Sequence, residues 1–229
     1  MECVGTVKAK SAMLALSLPD KAVPLNILCI GAHSDDIEIG CAATLLRLLA
    51  DGYRLRVTWA VLSAVGERAD EARSSAEALL STRADAVQLD LGAFRDSYFP
   101  ADFEALKGHF VRLRERANPD VVFTHAMSDG HQDHRLVAEL TWQTWRNHLV
   151  LEYEVPKYED DLARPNVFVP VSRAVAQAKV DHLLSHFGSQ RSKRWFSSET
   201  FAGLLRLRGV QCGAEEGFAE AFVSRKLVL

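Results

Sequence analysis

The stretch that decides the fold runs L-N-I-L-C-I-G-A-H-S-D-D-I-E-I-G over residues 25–40. Its first half, Leu25–Ala32, is an almost unbroken apolar run, which is typical of a strand buried on both faces of a parallel sheet. A helix-period apolar face follows over Ile37–Ala50, and Asp51-Gly52 provides a stop signal. A strand that passes through a short polar turn directly into a helix indicates an α/β protein.

The rest of the chain repeats this alternation. Further strands are predicted at Arg54–Leu62, Val87–Leu91, Val121–His125, Leu151–Val155 and Asn166–Val171, and further helices at Ala69–Ser81, Asp102–Ala117, Arg135–Leu149, Ala174–Phe187 and Glu199–Leu207. The tail from Phe218 to Leu229 fits either state. We therefore predict a Rossmann-like, doubly wound α/β fold, with a mostly parallel sheet and helices on both faces. We expect one domain over residues 25–229, preceded by an N-terminal extension over residues 1–24.

Composition excludes several classes of protein. The 229 residues carry 27 Lys and Arg against 30 Asp and Glu, a balance too even for a polycationic nucleic-acid binder or an acidic disordered chain. The apolar runs fall far short of the roughly 20 residues that a membrane span needs. The four cysteines are scattered and form no C-x-x-C pair, unlike a disulfide framework or a structural zinc site. We expect a cytoplasmic protein without a signal peptide, a membrane span or a nucleic-acid partner.

Two polar segments follow the first and fourth predicted strands. One is His33-Ser34-Asp35-Asp36, and the other is His131-Gln132-Asp133-His134. In the common strand order 3-2-1-4-5, strands one and four are neighbours, and ligands bind at their carboxyl ends, where the strand order reverses. We therefore expect both segments to line one crevice, although about a hundred residues separate them.

The residue types in this crevice suit a catalytic metal site. A set of two histidines and one carboxylate, hard enough for Zn²⁺, Fe²⁺ or Mn²⁺, is available from His33, Asp36 and His134. Three groups remain beside it for acid–base work, namely Asp35, His131 and Asp133. Taken singly, each of these residues also fits a helix cap or a loop position. It is the two clusters at one switch point that favour a functional site.

The same motifs resemble those of a known family. A-H-S-D-D-I-E-I-G over residues 32–40 resembles the A-H-P-D-D-x-E signature of the LmbE-like (PIG-L) zinc-dependent de-N-acetylases, with Ser34 in place of the proline. H-Q-D-H over residues 131–134 is similar to the family's second motif, H-x-D-H. Less specific similarities are G-E-R at 66–68, H-F-G-S-Q at 186–190 and A-E-A-F at 219–222.

The resemblance implies roles for individual residues. It implies that zinc, or another divalent metal such as Fe²⁺, is bound by His33, Asp36 and His134. It implies that Asp35 is the general base, that His131 stabilises the oxyanion or protonates the leaving amine, and that Asp133 orients the His131 imidazole. The loop residues Arg68 and Asp96 would hold sugar hydroxyls, and Tyr98 and Trp195 could offer an aromatic face.

The implied reaction is the hydrolysis of an N-acetyl group on a small amino sugar or sugar conjugate. Two alternatives stay open: an amidase of the same family that acts on another N-acyl or thiol-sugar conjugate, and a metal-binding module without catalytic activity. A homo-oligomer is also open. Of the remaining histidines, we expect His125 near the crevice, and His109 and His182 on helix surfaces.

Overall fold

The structure is a computed structural model that describes Leu18 and residues 20–228; most of the predicted N-terminal extension therefore lies outside the described residues. The strands are β1 Leu25–His33, β2 Leu55–Ser63, β3 Ala86–Leu91, β4 Val121–His125, β5 Leu149–Tyr153, β6 Val167–Val171 and β7 Phe218–Val223. The helices are α1 Asp36–Ala50, α2 Glu67–Leu80, α3 Phe103–Arg116, α4 Gln132–Thr144, α5 Arg173–His186 and α6 Ser198–Gln211. Short 3₁₀ helices lie at Phe99–Asp102 and Gly188–Gln190.

One seven-stranded sheet joins these elements in the order β3-β2-β1-β4-β5-β7-β6. The strands from β3 to β5 pair in parallel, and β7 pairs antiparallel with both β5 and β6. The mostly parallel α/β fold and the order of the first five strands are confirmed. The carboxyl ends of β1 and β4 lie side by side, because Ile27 pairs with Val121 and Cys29 with Phe123.

Alternation along β1 explains why its sequence is apolar throughout. Ile27 and Cys29 point into a core that also contains residues of α1, α2, α5 and α6. Leu28 and Ile30 point the other way, into a second core formed with α3 and α4. Both faces of the strand are therefore buried, and its carboxyl end is one of the few places where its chain can present polar groups.

Most element boundaries differ from the sequence prediction by a few residues, and the end of α4 and the C-terminal tail differ most. Helix α4 ends at Thr144 rather than at Leu149, because Leu149 pairs with Val121 as the first residue of β5. Trp145, the residue after the helix, is buried in the second core and continues the apolar pattern beyond the helix end. The C-terminal tail, which fitted either a helix or a strand, forms β7. This strand lies between β5 and β6 in the sheet, a position that its place in the sequence does not predict.

The two histidines expected on helix surfaces are packed inward instead. His109 is only 9% exposed and meets the edge of the Phe94 ring, with 5.7 Å between ring centroids. His182 is half-buried, and its Nε2 lies 2.8 Å from the Ser75 hydroxyl. Of the helices in the described part of the chain, none is long and apolar enough to cross a membrane.

Candidate metal centre and active site

The first polar segment is a two-residue turn between β1 and α1. His33 is the last residue of β1, Asp35 is the N-cap of α1, and Asp36 is the first residue of that helix. The Asp36 carboxylate folds back over the turn, because its Oδ2 accepts a 2.7 Å hydrogen bond from the His33 backbone N–H. This bond fixes the carboxylate beside the His33 ring. Ser34, which replaces the proline of the family signature, is buried within the turn.

The second polar segment forms the first turn of α4. His131 is its N-cap residue, and its Nδ1 accepts a hydrogen bond from the Asp133 backbone N–H at 3.2 Å. Because Nδ1 accepts, the ring proton of a neutral His131 lies on Nε2. His134 and Asp133 follow in the first turn and are both almost fully buried.

Three side-chain atoms from the two segments converge on one point. His33 Nδ1 lies 3.1 Å from His134 Nε2 and 3.4 Å from Asp36 Oδ2, and the latter two atoms are 3.5 Å apart. Zinc bonds of about 2.0–2.1 Å in tetrahedral geometry require ligand atoms about 3.3–3.4 Å apart. The donor types and their mutual distances therefore fit one divalent metal ion.

Three other groups of candidate ligands share residues with this one: His33 with His131 and His134, His33 with Asp96, His131 and Asp133, and Asp36 with His125 and His134. In the last group, His125 Nε2 already accepts a 2.9 Å hydrogen bond from the Ala32 backbone N–H. His125 ends β4 and stacks on His134, with ring centroids 3.9 Å apart. We therefore assign His125 to the wall behind the site, in line with its expected position near the crevice.

The outer nitrogen of His134 is held by a carboxylate that sequence reasoning missed. His134 Nδ1 lies 2.9 Å from Asp129 Oδ2, and Asp129 Oδ1 is 2.9 Å from Lys157 Nζ. Burial acts to raise the pKa of the Asp129 carboxyl, but the hydrogen bond to His134 and the charge of Lys157 hold that pKa below its usual value. Asp129 Oδ1 also accepts from the His131 backbone N–H at 2.8 Å. This carboxylate therefore positions both histidines of the second segment.

The outer nitrogen of His33 faces two further carboxylates. Its Nε2 is 3.2 Å from Asp96 Oδ1 and 3.3 Å from Asp133 Oδ2. The Asp133 carboxylate also accepts from the backbone N–H groups of Ser97 at 2.6 Å and Phe99 at 3.1 Å. The Asp133 carboxylate, which was expected to orient the His131 ring, therefore contacts His33 and the loop after β3 instead. Asp133 supports His131 through its backbone, and the carboxylate serves His33, because the helix start turns it towards the loop after β3.

Charge and burial set the protonation of the site. Burial lowers the pKa of His134 to about 4, so its imidazole is neutral and able to bind a metal at neutral pH. Burial also acts to lower the pKa of His33, but hydrogen bonds with Asp133, Asp36 and Asp96 outweigh it and raise that pKa well above its usual value. Metal binding at His33 is therefore expected to release a proton.

Asp35 lies beside this cluster and is almost fully buried. Burial, and then the charge of Asp36, raise the pKa of the Asp35 carboxyl to about 6, while Arg68 and His33 oppose the rise. Its Oδ1 is 3.6 Å from Arg68 Nη2. A buried carboxylate with a pKa close to neutrality has the property that a general base requires.

Arg68 and Asp96 meet at the rim of the site. Arg68 Nη1 donates a 2.7 Å hydrogen bond to Asp96 Oδ2. Both residues line a cleft of about 280 Å³ that also contains the metal-competent atoms. Trp195 lines the same cleft, whereas the Tyr98 ring is covered by the Arg95 guanidinium, 3.4 Å from its centroid.

Fold and site together define an α/β protein with a cleft at the switch point of its sheet, lined by side chains that could hold a metal ion. Residues 28–145, more than half of the chain, match the family described as PIG-L, GlcNAc-PI de-N-acetylase. The chain belongs to this family.

Individual relatives extend the comparison over most of the chain. The Uncharacterized deacetylase YaiS of Escherichia coli K12 is 29% identical over 182 residues, 70% of this chain and 90% of that protein. N,N'-diacetylchitobiose deacetylase from Pyrococcus horikoshii is 21% identical, with a TM-score of 0.64, over 87% of this chain and 83% of that one. GalB, the 4-carboxy-2-hydroxymuconate hydratase of Pseudomonas putida KT2440, is 18% identical, with a TM-score of 0.70, over 90% and 98%. The last two likenesses show the fold alone.

Proposed function

We propose that this protein hydrolyses the N-acetyl group of a small amino sugar or sugar conjugate, with a divalent metal ion held by His33, Asp36 and His134. The convergence of those three ligand atoms within 3.1–3.5 Å carries the proposal. Family membership supports the reaction type, and the names of the two deacetylases among the relatives support it further. Zinc is the first candidate, because two imidazoles and one carboxylate leave a position open for substrate or water.

A metal ion bound there would supply Lewis-acid polarisation of the acetyl carbonyl and lower the pKa of a water molecule. Two side chains of the protein, Asp35 and His131, then move or hold the protons of the reaction. Asp35 takes a proton from the attacking water as the new bond from oxygen to the acetyl carbon forms. The neutral His131 donates a hydrogen bond from its Nε2 to the oxyanion and keeps its proton. Asp35 then passes the proton that it took from water to the leaving nitrogen as the carbon–nitrogen bond breaks. The products are acetate and a free amine.

The supporting carboxylates hold these groups without reacting. Asp133 fixes His33 through Oδ2 and the loop after β3 through both oxygens. We propose that Arg68 and Asp96, paired at the rim, bind substrate hydroxyls beside the reacting amide. The cytoplasmic location and the oligomeric state stay predictions from the sequence.

Acetate release tests the proposed function. Zinc-loaded protein is incubated with N-acetylglucosamine, its methyl glycoside, N,N'-diacetylchitobiose and an N-acetylglucosaminyl thiol conjugate. We expect acetate from at least one of these, and a loss of about 10²–10⁴-fold in kcat for Asp35→Asn, whose amide cannot take the proton. Asp160→Asn, the same change at an exposed site, serves as the control.

The outcome separates the proposal from its alternatives. Turnover of the thiol conjugate alone identifies the amidase of the second interpretation. Metal binding without turnover of any compound identifies a non-catalytic module. Undiminished activity in Asp35→Asn contradicts the assignment of the base.

A further inference from the structure

One polar group in the wall of the cleft has no role in the proposed chemistry. Gln190 lines the cleft and is 96% buried, since its exposed fraction is 4%. Its Oε1 has no hydrogen-bond partner among the side chains and backbone of residues 20–228. A buried carbonyl oxygen normally has a hydrogen-bond partner, and within residues 20–228 this one has none.

The neighbouring residues fix which end of the Gln190 amide faces Ser189 and which end points away from it. Ser189 donates its backbone N–H to Glu71 Oε1 at 2.8 Å and its hydroxyl proton to Glu71 Oε2 at 2.7 Å. The Ser189 oxygen can then only accept, and it accepts from Gln190 Nε2 at 2.9 Å. Only the NH₂ group of an amide can donate, so Nε2 must face Ser189 and Oε1 must point away from it.

From this arrangement we infer that Gln190 is a specificity-determining residue, whose Oε1 accepts a hydrogen bond from a hydroxyl or N–H group of the substrate. Glu71 and Ser189 are positioning residues that keep the acceptor turned towards the cleft. The inference rests on the proposed function, and it narrows the substrate class: the bound molecule carries a neutral donor beside the reacting amide. A site built to pair a donor discriminates strongly against an analogue that lacks it.

Deoxy sugars test the inference directly. The probes are the methyl glycoside of N-acetylglucosamine and its 3-, 4- and 6-deoxy analogues. With wild-type protein we expect kcat/KM to fall about 10- to 100-fold for one analogue that lacks the paired hydroxyl. Gln190→Met, which keeps the side-chain length but removes the acceptor, should lower kcat/KM for the parent by a similar factor and show no further loss with that analogue.

Two further variants separate a role in specificity from a role in folding. Gln177→Met, on the exposed surface of α5, is the matched control and should keep the wild-type pattern. Glu71→Gln should reverse the relay, because its NH₂ group donates to Ser189 and leaves the hydroxyl proton free for Gln190 Oε1. The Gln190 amide then presents Nε2 to the cleft, and the preference for the hydroxyl donor is lost although Gln190 is retained.

The result distinguishes this inference from the proposed function. Wild-type turnover that Asp35→Asn abolishes, together with unchanged deoxy discrimination in Gln190→Met and Glu71→Gln, overturns the inference alone. Failure of the wild-type protein to release acetate from any of the glycosides overturns both. A Gln190→Met protein that does not fold leaves Glu71→Gln to decide, through retained or lost discrimination.

Discussion

Replacing Asp129 by Asn probes the support of the metal centre without touching a proposed ligand. The Asp129 carboxylate lies 2.9 Å from His134 Nδ1 and 2.9 Å from Lys157 Nζ. Asn keeps an oxygen that can accept from the imidazole, but it removes the negative charge that would make His134 a stronger metal ligand. Loss of such a carboxylate weakens metal binding about 10- to 100-fold, which corresponds to about 1.4–2.7 kcal/mol.

Competition with a zinc chelator measures this change. We expect the Kd for zinc to rise about 10- to 100-fold in Asp129→Asn, while the fold survives because Lys157 keeps its 2.6 Å contact with Asp161. Asp160→Asn, one residue from Asp161 and exposed, should keep the wild-type Kd. An unchanged Kd in Asp129→Asn, or an equal loss of affinity in Asp160→Asn, would show that the Asp129 carboxylate does not support the metal site.

Three further changes test the buried groups behind the site, each by urea unfolding. Burial raises the pKa of Glu38 to about 8 from the ordinary 4.5, so the stabilisation from its protonated carboxyl is present below pH 4.5 and is lost as the pH rises to 8. The free energy of unfolding should therefore fall by up to about 1.4 kcal/mol per pH unit in this range, and Glu38→Gln should abolish that fall. Equal pH dependence in the wild type and the variant would count against this assignment. Gly40→Ala places a Cβ atom 2.3 Å from Cγ of Tyr153 and should cost about 1–3 kcal/mol, so a variant as stable as wild type contradicts the packing. Lys179→Met leaves the Glu220 carboxylate buried without its ammonium partner at 2.6 Å and should lower the free energy of unfolding by about 3–5 kcal/mol. Adding Glu220→Gln should restore part of this loss, whereas additive losses in the double variant would argue against an energetic coupling between the two residues.

The sequence predicted the parts of the site that depend on topology. Strand β1 is apolar because both its faces are buried, and the order of β1 and β4 follows from the α/β pattern. Once those strands are neighbours, His33 and His134 must approach each other, whatever the details of the loops. This is why two segments about a hundred residues apart could be assigned to one crevice.

The sequence could not predict the parts that depend on the direction of single side chains. Asp133 lies two residues from His131, but the start of α4 turns its carboxylate towards the loop after β3. Lys157 comes from the loop after β5, whose path no periodicity specifies. The role of Asp129 could have been predicted, since a carboxylate just before the second motif is a candidate partner for a ligand histidine.

Zinc titration of metal-free protein, followed by acetate release, tests whether the activity depends on a metal ion held by His33, Asp36 and His134. We expect acetate release from the best N-acetylated sugar to rise with added zinc and to saturate at about one ion per chain, because His33, Asp36 and His134 form one proposed metal site. His134→Ala should show no such rise. Full activity in the metal-free protein, or a rise that survives in His134→Ala, would show that hydrolysis does not depend on a metal ion at this site.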